Sequence, residues 1–412
     1  MSSPAPLRPP RALALLGPAF VAAIAYVDPG NVAANLSAGS RYGYTLLWVL
    51  VAASIIAVVV QYLSARLGLV TGRSLATLVS EHLVQRHRVW RVAYALQAYV
   101  MAIATDLAEV IGGALGLHLL FGTTLWLGGI IVGVITLILL PVMRSRGEIA
   151  FERGIVVLIV LIAVAFLAGL VWAPPDPARM LAGLVPWVPE TKAWFLVAAM
   201  LGATVMPHAV YLHSALAVER FHGPEGPVAP IERLLRIQRT DVLAALALAG
   251  TVNIAMLLYA ARALTTNLTG DTIEDAHRVL GSTLGPVAAA FLGVGLLASG
   301  IGSAIVGTHA GSGIAADSFP IRISPMWTRA VTVAPAALLL LTGVAATAVL
   351  VVSQVVLSFG IGFAVAPLVW LSSREDLMGA WRIKGVLRVV AWVVVIIVVL
   401  LNLVLIATWL VH

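Results

Sequence analysis

Long apolar segments separated by short polar connections follow one another along nearly the whole chain, from Leu13 to Leu410. The apolar residues run continuously and are interrupted by Gly and Pro, without the alternation of period two that marks the strands of an outer-membrane barrel. Because a spanning helix needs about 20 such residues, the pattern predicts an all-α integral membrane protein. The predicted spans are eleven, at residues 13–38, 45–70, 90–118, 124–142, 152–173, 193–218, 241–264, 283–310, 327–343, 345–372 and 386–410.

The first span contains the sequence Asp28-Pro29-Gly30-Asn31 in its middle. An ionisable side chain at this depth costs about 3 kcal/mol or more and indicates a functional site. Pro29 and Gly30 predict that the helix breaks there, which frees carbonyl groups near Ala25. Two interpretations follow. In the first, a cation is bound by Asp28, Asn31 and a freed carbonyl. In the second, the segment is a proline kink whose carboxylate is hydrogen-bonded to a neighbouring helix.

A second break is predicted in the sixth span, where the chain reads Ala203-Thr204-Val205-Met206-Pro207-His208. Each break lies in the first helix of a set of five helices. Because a set with an odd number of spans ends on the opposite side of the membrane, the second set has the inverted orientation. We therefore expect one transmembrane domain over residues 1–412, built from two inverted repeats. Its predicted parts are a disordered N-terminus at 1–10, a first repeat at 11–173, a second repeat at 193–372 and an extra helix at 386–410.

The candidate ligands at the two breaks combine oxygen and sulfur. Asp28 offers a carboxylate, Asn31 an amide oxygen, Ala25 and Ala203 backbone carbonyls, and Met206 a thioether. Mg²⁺ and Ca²⁺ prefer oxygen alone, whereas a mixed set favours Mn²⁺ or Fe²⁺. The alternative for Met206 is ordinary packing in a membrane helix.

Composition and charge narrow the function classes. The chain has 412 residues, of which 61% are hydrophobic and 10% charged, and it has no cysteine, so thiolate metal sites are excluded. Segments predicted to face the cytoplasm hold 20 of the 25 Lys and Arg residues, which places the N-terminus inside and the C-terminus outside. The net charge of +7 reflects this bias, not a nucleic-acid partner. The sequence has no Walker-type lysine, no HExxH motif and no nucleophile–base pair, so we do not expect an enzyme. It also gives no indication of a resident cofactor or of an obligatory protein partner.

Five further ionisable residues are candidates for a proton pathway. Asp106 and Glu109 lie three residues apart in the third span and therefore share a helix face. Arg329, at the start of the ninth span, is their candidate partner, and buried ion pairs are the alternative role for all three. His208 is interpreted as a polar or proton-handling residue in preference to a metal ligand, and a structural hydrogen bond is an equal alternative for His213.

The paired signatures D-P-G-N and A-x-x-M-P-H resemble those of the Nramp divalent-metal transporters, over nearly the whole chain. The resemblance implies a LeuT-like fold with eleven spans and proton-coupled import of Mn²⁺ or Fe²⁺ through the cell membrane by alternating access. It also implies that Gln354 approaches the metal in an occluded state. The retained Ala203 and Met206 argue against the magnesium- and aluminium-selective relatives.

One position departs from the family. Some members carry a glutamate seven residues before Asp106, where this chain has Tyr99, which does not titrate near neutral pH. Proton coupling is therefore open, and a potential-driven metal uniporter is an alternative function. An organic-solute symporter, for example for amino acids, is a weaker alternative, because Asp28 would repel a carboxylate at the first break.

Overall fold

A computed structural model describes residues 17–85, 88–145, 148–224, 226–264, 272–318, 335–336 and 338–411. Among these residues, eight helices are long and apolar enough to cross a membrane. They are Leu47–Thr71, Val89–Phe121, Arg153–Val171, Ala193–Phe221, Ile231–Ala263, Ala289–Gly307, Ala346–Ser373 and Gly385–Thr408. Shorter apolar helices add Pro18–Val27, Leu75–Val84 and Leu125–Leu139. The helical membrane architecture is therefore confirmed, and the count of eleven spans stays a prediction.

The first and sixth spans are both interrupted, as predicted. Helix α1 (Pro18–Ala23) continues as a 3-10 turn over Ile24–Val27, and α2 begins beyond Asp28 at Pro29 and ends at Tyr42. In the sixth span, α9 (Ala193–Thr204) and α10 (Pro207–Phe221) are separated by two residues. A proline occupies the first position of each second half, where its missing N–H leaves no donor unsatisfied.

The other elements follow in chain order. They are α3 (Leu47–Thr71), α4 (Leu75–Val79) with a π-helix at Ser80–Val84, α5 (Arg88–Phe121), α6 (Leu125–Ser145), α7 (Glu148–Trp172), α8 (Pro177–Ala182), the hairpin β1 (His222–Gly223) and β2 (Gly226–Pro227), α11 (Ile231–Ala263), α12 (Ile273–Leu284), α13 (Pro286–Ser318), α14 (Ala346–Ser373), α15 (Glu375–Met378) with a 3-10 turn at Gly379–Trp381, and α16 (Gly385–Val411).

Helix α11 begins ten residues before the predicted seventh span. The predicted spans leave 231–240 within the connection between the sixth and seventh spans. Apolar residues recur within it at Leu234 and Leu235, both buried, so it forms an amphipathic extension of the membrane helix. Most of the predicted ninth span, 327–343, and the whole of residues 1–10 lie outside the described residues.

The broken sixth span lies at the centre of the bundle. Of its most apolar window 94% is buried, against 33% for the corresponding windows of α7 and α16, which therefore lie at the periphery. Helix α5 packs along α13, α2 along α11, and α9 along α14. Gly112 of α5 meets Pro29 so closely that an added Cβ would lie 1.9 Å from the proline Cβ. This close approach positions α5 directly against the first break.

The connection at residues 174–192 is attached to the end of α2 and the start of α3. Tyr42 donates a hydrogen bond of 2.7 Å to Glu190, and the indole of Trp48 donates one of 3.0 Å to the carbonyl of Trp187. Burial, together with the neighbouring Glu190, raises the pKa of Tyr42 to about 12. The connection is therefore a packed part of the fold, with a short helix of its own.

Candidate metal site

Asp28 caps the second half of the first span. Its backbone is extended, with ψ at 168°, and its Oδ1 accepts a hydrogen bond of 2.7 Å from the backbone N–H of Asn31. An aspartate N-cap satisfies one of the free N–H groups at a helix start, and the helix dipole favours its negative charge. The sequence thus places a carboxylate in mid-membrane by means of an ordinary capping interaction.

Three of the predicted metal-site residues surround this carboxylate. The side-chain amide of Asn31 lies 2.8 Å from Asp28 Oδ1 and also 2.8 Å from the carbonyl oxygen of Ala203. The side-chain amide of Gln354, from α14, donates to Asp28 Oδ2 at 3.1 Å. The side chains of Asp28, Asn31 and Gln354 are each at most 1% exposed. The structure therefore brings both breaks and α14 together around one buried anionic group.

Two acceptor atoms at this site have no hydrogen-bond partner among the described residues. They are Oδ1 of Asn31 and Oε1 of Gln354, and both are buried. An unsatisfied buried acceptor costs about 1–3 kcal/mol, so such atoms in a native protein call for a ligand. A carboxylate flanked by two unpartnered amide oxygens is a suitable set of hard donors for a divalent cation.

The carbonyls freed by the first break are largely bonded by the protein itself. Asn253 donates to the carbonyl of Tyr26 at 2.7 Å, Ser299 donates to that of Val27, and Ser303 to that of Ile24 at 3.3 Å. No side-chain donor among the described residues binds the carbonyl of Ala25. A cation is therefore needed only for the carbonyl of Ala25, because Asn253, Ser299 and Ser303 bind the other three carbonyls from neighbouring helices.

Met206 lies within the second break. Its backbone is extended, with ψ at 123°, and its side chain is 1% exposed. It follows Ala203, whose carbonyl binds Asn31, by three residues. The thioether is therefore in the segment that faces the first break, as expected of a soft ligand, and its role as a ligand stays a prediction.

The two carboxylates of the third span, Asp106 and Glu109, precede Gly112 of α5 by six and three residues. Asp106, Glu109 and Gly112 are spaced by three residues, and Gly112 contacts Pro29. Asp106 is 9% exposed and Glu109 is fully buried, and the carboxylate of Glu109 packs on Gly307 of α13. This arrangement leads away from Asp28 along α5 in steps of one helical turn. The predicted partner, Arg329, lies outside the described residues.

His213 belongs to a buried chain of hydrogen bonds below the first break. Its Nδ1 lies 2.7 Å from Gln61 Oε1, and the amide of Gln61 donates to the hydroxyl of Tyr26. On the other side, the amide of Gln238 lies 2.8 Å from His213 Nε2 and 3.4 Å from Asp241. These bonds fit a neutral imidazole with its proton on Nδ1. His213 therefore makes structural hydrogen bonds within a chain that begins two residues from Asp28, and its role in proton handling stays a prediction.

Asp241 ends this chain by capping α1. Its carboxylate accepts hydrogen bonds from the backbone N–H of Gly17, at 3.2 Å to each oxygen, and of Ala19, at 3.0 Å. The sequence interpretation did not single out Asp241, Gln238 or Gln61. The signal was present: Gln238 and Asp241 lie three residues apart on one face of α11, and Asp241 stands at the very start of the predicted seventh span.

His208 and Tyr99 are the two remaining positions considered in the sequence. His208, the second residue of α10, is half-buried, and its Nδ1 has no partner among the described residues. Tyr99 is 50% exposed on the outer surface of α5. The position at which the chain departs from its relatives therefore does not line the site.

Comparisons with known proteins show the family of this chain. The family model described as natural resistance-associated macrophage protein-like, Nramp, matches residues 19–408. The divalent metal cation transporter MntH of Mycobacterium tuberculosis is 50% identical over 95% of this chain and 91% of that protein. The protein of the same name from Deinococcus radiodurans is 42% identical, over 95% of this chain and 89% of its own length.

Solved structures support the fold. The crystal structure of the Eremococcus coleocola manganese transporter has a TM-score of 0.85 at 26% identity, over 95% of this chain and 86% of that one. Mhp1, a nucleobase-cation-symport-1 family transporter, has a TM-score of 0.58 at 19% identity, over 96% of this chain and 91% of that one, and shows the fold alone. The predicted LeuT-like architecture is confirmed, as is the expectation that the chain is not an enzyme, because its relatives are transporters. The chain belongs to the Nramp family.

Proposed function

We propose that this chain is a secondary active transporter that imports divalent transition-metal ions, Mn²⁺ and Fe²⁺, across the cell membrane. The observation that supports it most is the buried Asp28 carboxylate, flanked by the unpartnered amide oxygens of Asn31 and Gln354. The substrate ion would replace the hydrogen bonds that the two amides make to Asp28 with bonds to their oxygens. The names of the relatives from M. tuberculosis and D. radiodurans support the same substrate class.

The donor set suits an ion that must later be released. A single carboxylate leaves the complex with a net charge of +1, so we expect moderate affinity. Met206 would add a soft sulfur ligand, and the carbonyls of Ala25 and Ala203 would add oxygen ligands in different conformations. Mixed donors of this kind favour Mn²⁺ and Fe²⁺ over Ca²⁺ and Mg²⁺. No resident cofactor and no protein partner enter this proposal.

The transport cycle would be alternating access. Asp28 and Met206 are each 1% exposed, so an ion bound there can leave only after helices move. The two breaks belong to the first helices of the two repeats, and relative motion of the repeats would open the site to one side at a time. From the distribution of Lys and Arg we propose a cytoplasmic N-terminus and an external C-terminus.

We also propose that metal import is coupled to protons. Asp106 and Glu109 form a line of carboxylates that reaches the first break at Gly112 and Pro29. We propose that this line, with Arg329, conducts protons, and that His208 and His213 contribute polar contacts. A potential-driven uniporter is the second candidate, because Tyr99 replaces a family glutamate. A divalent ion gains about 4–5 kcal/mol on entering through a potential of about 100 mV, so uptake without protons is possible.

The test is Mn²⁺ uptake into proteoliposomes at a clamped membrane potential, with and without an inward proton gradient and with an internal pH indicator. Metal-dependent acidification of the interior is the expected result and establishes symport. Metal uptake with no proton flux would establish the uniporter. Absence of uptake of Mn²⁺ and Fe²⁺ under both conditions would contradict metal transport, and protein-free liposomes provide the background.

A further inference from the structure

Two arginines at the start of α11 have exposed guanidinium groups. Arg236 and Arg239 are both exposed, and neither forms a side-chain hydrogen bond or an ion pair within the part of the chain that the structure describes. Glu232 is the acidic residue on the same exposed face, one turn before Arg236, and it forms no ion pair with it. A pair of unpaired cations on one helix face indicates that their counter-ion comes from outside the protein.

The depth of these arginines follows from the composition of α11. Residues 242–261 contain no Asp, Glu, Lys or Arg, and 20 helical residues extend about 30 Å, the thickness of the hydrocarbon core. Arg239 and Arg236 precede this stretch by three and six residues, which is about 4.5 and 9 Å along the axis. Both guanidinium groups therefore lie at the level of the lipid headgroups.

The exposed face continues into the face that contacts lipid tails. Thr240, Leu243, Ala244 and Ala247 are exposed at helical spacing from Arg236, and Leu243 is 45% exposed. An acyl chain lying along Leu243 and Ala247 would thus hold its headgroup beside the two arginines. The apolar residues lie deeper in the membrane than the two arginines, which matches the positions of the acyl chains and the headgroup of a phospholipid.

Four other arginines of the segments assigned to the cytoplasmic side are bound within the protein. Arg66 donates to the carbonyl of Trp381, Arg73 pairs with Glu81, and Arg374 and Arg382 pair with carboxylates of the α15 segment. Other exposed arginines on this side, such as Arg388, also form no side-chain hydrogen bond or ion pair within the described residues. Arg236 and Arg239 are two such residues one helical turn apart, on a helix face that continues into exposed apolar residues.

We propose that Arg236 and Arg239 bind the headgroup phosphate of an anionic phospholipid, with its acyl chains along the outer face of α11. Guanidinium groups pair with phosphate through parallel hydrogen bonds, and each basic residue at a membrane surface adds about 1 kcal/mol of attraction for anionic lipid. The bound lipid would hold the first turns of α11, which also carry Gln238 and Asp241. This inference is independent of which ion the protein transports.

The test is native mass spectrometry of the full chain with phosphatidylglycerol and phosphatidylcholine of identical acyl chains. The unaltered protein should retain phosphatidylglycerol preferentially, and 0.5 M salt present during lipid loading should weaken that preference, because added ions screen an exposed site. The variant Arg236→Gln/Arg239→Gln should lose about tenfold or more of the preference, consistent with two basic residues at about fivefold each.

The matched control is Arg179→Gln/Lys192→Gln, which removes the same charge from exposed residues of the 174–192 connection. This variant should keep the lipid preference. An equal loss of the lipid preference in both variants would mean that only net charge matters and would overturn the site. An unchanged preference in Arg236→Gln/Arg239→Gln would also overturn it. Because all four side chains are exposed, unaltered thermal unfolding of both variants is expected and serves as the folding check.

Discussion

The side-chain amide of Asn31 lies 2.8 Å from the carbonyl oxygen of Ala203, so one hydrogen bond joins the break in the first span to the break in the sixth. The same amide binds Asp28. Asn31 therefore links Asp28 to the second break, and its unpartnered side-chain oxygen is a candidate metal ligand.

Replacing Asp28 by Asn should abolish metal uptake while leaving the fold intact. The amide keeps the shape and can still accept from the backbone N–H of Asn31, but it removes the single charge that offsets the dehydration of a divalent ion. We expect Mn²⁺ uptake into proteoliposomes to fall by more than about a hundredfold. Uptake near the unaltered rate would remove Asp28 from the metal site.

Replacing Met206 by Leu should change ion selectivity more than rate. Leucine keeps the volume at a cost of less than about 1.5 kcal/mol but lacks sulfur. We expect Mn²⁺ uptake to persist within about tenfold and competition by Ca²⁺ and Mg²⁺ to increase. Met200→Leu is the control, since Met200 is equally buried in α9 and lies six residues before the break. Equal selectivity in the two variants would contradict a sulfur ligand.

Replacing Gly30 by Ala should displace Gln354 from Asp28. An added Cβ would lie 1.7 Å from Gln354 Nε2 and 2.3 Å from its Cδ, so the amide must move away. We expect a loss of about tenfold in Mn²⁺ affinity, comparable to removing a residue that orients a ligand, measured by uptake as a function of Mn²⁺ concentration.

Gly362→Ala is the matched control, because Gly362 also lies in α14 and a Cβ there meets nothing within 4 Å. The double variant Gly30→Ala/Gln354→Ala should transport as Gln354→Ala does alone, since the clash disappears with the side chain. Additive losses in the double variant would mean that Gly30 acts independently of Gln354.

Replacing Asp241 should destabilise the protein in a graded order. The carboxylate accepts from the backbone N–H of Gly17 and Ala19, and loss of such a cap costs about 1–2 kcal/mol. Asp241→Asn keeps one acceptor oxygen and Asp241→Ala keeps none. Thermal unfolding in detergent should rank unaltered protein above Asn above Ala, and an Ala variant as stable as the unaltered protein would contradict the capping role.

The sequence predicted the two helix breaks better than the hydrogen-bond chain beside them. Asp28, Pro29 and Pro207 were recognisable because a charge and two prolines conflict with a membrane helix, and such local conflicts need no knowledge of neighbours. Gln61, Gln238 and Asp241 act only through partners far away in the chain. A lone Gln in an apolar span gives no indication of which helix it faces, so this hydrogen-bond chain required the structure.

The start of α11 illustrates the same limit in another way. The predicted spans placed this segment in a connection, whereas Leu234 and Leu235 pack against buried residues of α3 and α10 and hold it helical. Tertiary packing thus decided the local conformation against the charge pattern. Conversely, Gln354 was expected at the site only from family resemblance, and the structure places it there through α14.

Helix α1 has six residues, too few to be stable by itself in water. Asp241 binds its first N–H groups, and Asn253, Ser299 and Ser303 bind the carbonyls that follow it. All four side chains belong to α11 and α13, so the persistence of α1 is set by two other helices. Its backbone amides should accordingly exchange with deuterium as one cooperative unit, at a rate governed by how often those neighbours release it.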